Sequence, residues 1–237
     1  MLHDLDALLE GLASGRFAAD HDEIRASALA HLGSDEIQAR TFAPLVLQWL
    51  ALAGDRDRAA FDAVSHWYLS EEDARGYDES LGWLHAVAHG ADYLSAAAAT
   101  GVAAGDEVLG LLARRTSMPG PVWRDQENAR VAHAAVQALS AAHGAGQDGV
   151  RAFAAPFEEA LTAFELAAAD GSQVGRPPAW LTNVFATLAT LYVAVSEDPL
   201  PGEDVDASPW RGRLRAELAA LLSRMTPWLF TPSSRVT

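Results

Sequence analysis

His85, His89 and Asp92 are spaced by four and three residues within Leu81 to Ala99, a stretch whose only charged residue is Asp92. On a helix these spacings bring the three side chains within an arc of about 60°, because each residue turns the helix by roughly 100°. Two imidazoles one turn apart can reach one divalent metal ion. His85, His89 and Asp92 are therefore the candidate metal ligands, with Glu127 or Asp73 as further carboxylates for an N/O set. The same residues suit a metal-free site in which Asp92 orients a histidine as general acid or base and Arg75 or Arg130 holds a small anionic ligand, as a hydrolase would require. They also suit a structural network, since a buried polar group left unpaired costs about 1–3 kcal/mol. That last reading is the best of the three, because no dedicated signature accompanies the stripe. Ala86 stands where a zinc-protease helix carries its glutamate; there is no Glu-x-x-His pair for a di-iron bundle and no Gly-x-Ser-x-Gly elbow.

The groups expected to meet this stripe lie on either side of it. Glu71-Glu72-Asp73-Ala74-Arg75-Gly76-Tyr77 supplies carboxylates, an arginine fork and a glycine suited to a tight turn. Glu127 shares a helical face with Val131, Ala134 and Ala138 and so points at the core, with Arg130 three positions on as its expected partner. Arg40, on a face with Pro44 and Leu47, reads as another inward cation. Asp73, Arg75, Tyr77, Trp83, Glu127 and Arg130 thus join the stripe as a candidate pocket. Asn183, Thr187 and Thr190 form a small polar stripe that is chiefly a helix contact.

Helices must position these groups. The 237 residues include 49 Ala and 30 Leu against 15 Val and 2 Ile, a balance that favours helix because β-branched residues suit strands. Breaks in periodicity give about ten helices in one domain over residues 1–237, an all-α fold of antiparallel hairpins stacked in a HEAT-like way. Asp55 is the expected cap of the fourth helix and Asp125 of the seventh. The fifth is expected over Glu79 to Thr100, apolar or small all round and therefore central. The motif-bearing centre is residues 68–95. The acidic, Pro-rich stretch 197–208 reads as a solvated tether.

Within that centre, Tyr68-Leu69, Glu71, Asp73, Arg75-Gly76-Tyr77, Gly82-Trp83, His85-Ala86 and Ala88-His89-Gly90-Ala91-Asp92 resemble the bacterial family known only as domain of unknown function 2785. Arg40-Thr41-Phe42 with Leu45 is similar to the family's Arg-Ser-Phe element, and Glu127 with Arg130 to its Glu-x-x-Arg pattern. Asn183, Leu188 and Tyr192 match a late helix. The resemblance implies an all-helical, HEAT-like domain and brings no activity with it.

Composition narrows the rest. There is no Cys, which excludes disulfides, thiolate metal sites and cysteine nucleophiles. All 17 basic residues are Arg, so a Schiff-base or phosphate-loop lysine is absent. A net charge of −15 is the wrong sign for tracking nucleic acid. The N-terminal residues lack a signal peptide's basic flank and apolar stretch, and the closest apolar run, Leu94 to Ala104, is short for a membrane span. The expectation is a cytoplasmic protein without a membrane or nucleic-acid partner, serving either as an interaction module for a protein partner or as a binder of a small anionic ligand or metal.

Overall fold

The computed structural model describes residues 2–196 and 209–230, so the expected tether at 197–208 lies outside the described residues. Eleven helices are described: α1 (Leu2–Ala13), α2 (His21–His31), α3 (Ile37–Leu52), α4 (Arg58–Ser70), α5 (Ala86–Thr100), α6 (Gly105–Ser117), α7 (Glu127–Gly144), α8 (Gly149–Ala169), α9 (Ala179–Ser196), α10 (Pro209–Met225) and α11 (Pro227–Phe230). A two-stranded antiparallel hairpin, β1 (Tyr77–Asp78) and β2 (Gly82–Trp83), pairs Tyr77 with Trp83 and Asp78 with Gly82.

The helices form two layers. In one, α3, α5, α7 and α9 pack each on the next; in the other, α6, α8 and α10 stand behind them, continued more thinly by α4 and α2. A single buried apolar cluster runs through both from Leu12 to Leu222. Helix α5 is its axis: every residue from Ala86 to Ala98 except Ser95 is buried. Its Ala and Gly residues allow close approach, and a Cβ at Gly90 would lie 2.3 Å from Cδ2 of Tyr68 on α4.

Capping departs from expectation at two helices. Asp57, not Asp55, caps α4 by accepting from the Ala59 and Ala60 amides, while Asp55 pairs with Arg25 at 2.7 Å. Asp125 does not cap α7. Its own amide donates to the Glu127 side chain, and Gln126 takes the left-handed conformation at the helix start.

The largest departure concerns the fifth helix. Residues 79–85 are not helical: Asp78 collects the Ser80 amide, the Ser80 hydroxyl and the Leu81 amide, closing a turn that a continuous helix would exclude. Gly82 has φ +81°, and the Gly76 carbonyl accepts from the Leu84 and His85 amides. The helix therefore starts at Ala86.

Among the described residues, helix α9, rather than Leu94–Ala104, is the element long and apolar enough by length and composition to cross a membrane, with mean hydropathy 1.4. It packs against α7 and α10 and buries Asn183, Val184, Thr187, Leu188, Leu191 and Val195.

Candidate functional site

The loop from Glu71 to His85 folds over the N-terminal ends of α5 and α7, and its tightest contact is at Gly76. A Cβ there would lie 2.1 Å from Glu127 Oε1 and 2.4 Å from the Asp125 Cβ. Gly76 is thus required for close approach to a buried carboxylate, not for the tight turn its sequence context suggests.

Glu127 itself is fully buried, as its helical face predicts, but its partner is different. His85 takes the left-handed conformation at the start of α5, φ 53°, and its Nδ1 faces Glu127 Oε1 at 3.5 Å, while Glu127 Oε2 accepts from the Asp125 amide at 2.8 Å. Burial pushes the Glu127 carboxyl up; the His85 imidazole and the backbone N–H groups of Glu127 and Asp125 outweigh it and hold the carboxyl below its ordinary value.

Arg130 does not pair with Glu127. It crosses to α5, where its Nε donates to Asp92 Oδ1 at 3.0 Å and its Nη2 donates to Oδ2, a two-point pairing of a half-exposed guanidinium with a buried carboxylate.

His89 lies deeper. Its Nδ1 donates to the Thr41 carbonyl at 3.0 Å, which fixes the proton on Nδ1 in the neutral ring. Burial pushes the imidazole down to about 4, and the neighbouring His85 and Arg130 act in the same direction against the Thr41 bond. The ring is therefore neutral at pH 7.

The remaining sequence-derived candidates sit at the rim. Arg75 binds Asp73 and Asp78 within the loop at 2.6 and 2.5 Å and is half exposed, so this pair braces the hairpin and does not converge with His89 and Asp92. The Arg75 guanidinium holds the Asp73 carboxyl below its usual range. Trp83, which the continuous-helix reading placed on α5, is on the hairpin and 53% exposed; Tyr77 is 47% exposed. Their rings meet edge to face at 5.0 Å, and Trp83 stacks on His85 at 4.5 Å and 9°. From His85 the series continues edge to face to His89 at 5.8 Å and then to Phe42 at 4.8 Å.

Thus His85, His89, Asp92, Glu127, Arg130, Trp83 and Tyr77 are brought together, as two polar pairs and a run of rings. With Asp92 turned to Arg130, no group of three or more His, Asp and Glu among the described residues is placed to hold a metal ion. Arg40, as expected, is an inward cation: it donates to Glu71 at 2.6 Å, and the same carboxylate accepts from the Trp67 indole at 3.2 Å. Asn183 is elsewhere, bonded to the Trp123 amide and the Pro121 carbonyl.

The elements carrying this arrangement, from α2 to α9, coincide with a likeness to a known family. The family described as protein of unknown function (DUF2785) matches residues 27–193. The chain belongs to this family. The match spans the Arg40 element, the loop, α5, Glu127 with Arg130, and Asn183. No curated protein and no solved structure matches the chain.

Sequence reading missed three participants. Thr41 contributes a backbone carbonyl, which no side-chain pattern reveals. Arg115 is buried on α6, and its signal was its place three and four residues after Leu112 and Leu111, on the apolar face. The third is an apolar groove of about 470 Å³ between α1, α2 and α3, lined by Leu5, Leu8, Ile24, Ala39, Phe42 and Val46 among others.

Proposed function

We propose that the protein is a HEAT-like interaction module in which the His/Asp/Arg/Glu network is scaffolding and the working surface is the α1–α3 groove with the hairpin beside it. The observation that carries this reading is the continuity of the two. Gln38 lines the groove and donates to the Leu81 carbonyl of the hairpin at 2.6 Å. Phe42, also in the groove, begins the run of rings that ends at the exposed Trp83 and Tyr77. Leu81 is 45% exposed on the same hairpin. A rigid aromatic and aliphatic surface of this kind leaves apolar area in water that a partner would remove, and ordered aromatics lose little entropy on binding.

The occupant is a partner protein's amphipathic helix with basic flanks. A groove between helices accepts a helical face. Its charge follows from the −15 of the chain, from Glu23 on the groove wall and from the exposed Asp6 and Glu10 on α1. A second copy of the chain would bring the same charge to the contact. The sealing of His89 and Asp92 supports a scaffolding role for the network, since catalytic groups must meet a substrate.

The test uses two synthetic helical peptides of matched apolar face, one Leu/Lys and one Leu/Glu, titrated into the full chain by fluorescence anisotropy. The Leu/Lys peptide is expected to bind, and Ile24→Glu, on the groove wall, to weaken it about tenfold or more. Because Ile24→Glu adds negative charge, general attraction to an acidic protein would change in the opposite sense. Equal binding of the Leu/Glu peptide, indifference to Ile24→Glu, or self-association in place of peptide binding would overturn the proposal.

A further inference from the structure

A second cavity, of about 660 Å³, lies on the other side of the Glu71 loop, between the end of α4, the end of α6 and the Pro119–Trp123 segment. Its walls include Leu69, Glu72, Met118, Pro121, Trp123 and Arg115. Arg115 is 8% exposed, and its Nε is sealed without a hydrogen-bond partner. Among the described residues no carboxylate lies within ion-pair distance of it. Glu71, a carboxylate that acts on it electrostatically, is occupied by Arg40, the Trp67 indole and the Asp73 amide. The guanidinium instead lies 5.6 Å over the Tyr68 ring. An arginine stays charged at any ordinary pH, so burying it without an anion is a large uncompensated cost. Burial lowers its proton affinity.

We infer that Arg115 is the anchor of a binding site for a small monocarboxylate with an apolar body. The planar guanidinium fork matches a planar carboxylate in two parallel hydrogen bonds. Leu69, Met118 and Trp123 supply apolar walls for the rest of the molecule. Glu71 and Glu72 both line the wall; Arg115 offsets one negative charge on a ligand and the two carboxylates penalise a second, which selects a monoanion over a phosphate dianion. This site is separate from the α1–α3 groove and does not depend on it.

Benzoate is the probe, with benzamide as its uncharged analogue and inorganic phosphate as the dianion. Saturable benzoate binding is expected by calorimetry, together with a benzoate-dependent rise in the melting temperature of the full chain. Arg115→Met is expected to weaken benzoate about 10- to 100-fold. The same substitution should leave the ligand-free melting temperature unchanged or raised, because it removes an unpaired buried cation. Met118→Trp, which narrows the cavity and leaves Arg115 in place, should also weaken benzoate by about tenfold or more. It is overturned by any of four results: no saturable binding at about 10 mM benzoate, benzamide or phosphate binding as well as benzoate, benzoate affinity unchanged in both variants, or a lowered ligand-free melting temperature in Arg115→Met.

Discussion

Two residues decide the behaviour of the central network, and each gives a measurable consequence. Glu127 is a buried carboxylate whose two oxygens meet His85 Nδ1 and the Asp125 amide, with Gly76 pressed against it. Replacing it by the near-isosteric amide in Glu127→Gln removes the charge that faces His85 while keeping the volume. The expected loss is about 1–3 kcal/mol by urea denaturation at pH 7; no loss would mean that the pair holds nothing together. His89 provides the pH dependence. Its folded-state value is depressed to about 4 from 6.5, so in that interval the unfolded chain binds more protons than the folded one. Stability from this residue is therefore complete above pH 6.5 and is lost as pH falls towards 4, with a slope approaching about 1.4 kcal/mol per pH unit. Glu127, whose carboxyl is held below its ordinary 4.5, acts below that pH instead. His89→Gln should flatten the pH 4–6.5 slope, and an unchanged slope would place its origin at another residue.

The element that sequence reading mistook is the most informative. Leu81, Trp83 and Leu84 have helical spacing with the residues that follow, and nothing in that pattern forbids a helix from Glu79. What forbids it is the Asp78 side chain capturing the Ser80 and Leu81 amides, and the Gly76 carbonyl taking those of Leu84 and His85. These bonds compete with the helical ladder and win because the loop is also pinned at Gly76 and by Arg75 to Asp78. Asp78→Ala removes its bonds to the Ser80 amide, the Ser80 hydroxyl, the Leu81 amide and Arg75 at once. It is expected to speed amide hydrogen exchange across residues 76–85 while exchange in the buried part of α5 stays slow. Uniform acceleration across α5 would show that hairpin and helix open as one unit. Elsewhere the elements were legible: the limits read from the sequence for α1 (Leu2 to Leu12), α2 (His21 to Leu32), α6 (Gly105 to Arg115), α8 (Gln147 to Ala169) and α9 (Ala179 to Val195) fall within two residues of the observed ones, because Gly, Pro and Asp mark ends locally.

For the molecule as a whole, the excess of 15 negative charges is spread over a surface where most ion pairs are exposed and individually weak. Net repulsion should dominate their sum, so raising NaCl from about 0.05 to about 0.5 M is expected to raise the melting temperature. A fall would mean that the pairs outweigh the repulsion. The sequence alone determined the all-helical class, through Ala and Leu, and the burial of α5, through a long stretch with one charge. It also determined the inward aim of Glu127, and that any buried cation must be an arginine or a histidine, since no lysine exists. Only the tertiary structure decided which cation meets which carboxylate. Spacing along a helix assigns a residue to a face, but a partner is chosen by which helices are laid side by side. With α5 packed on α7, Arg130 reaches Asp92, 38 positions away, and leaves Glu127 to His85. The same packing gave the three residues of the stripe three different partners, Glu127 for His85, the Thr41 carbonyl for His89 and Arg130 for Asp92, and left Arg115, on the neighbouring helix, without a carboxylate among the described residues.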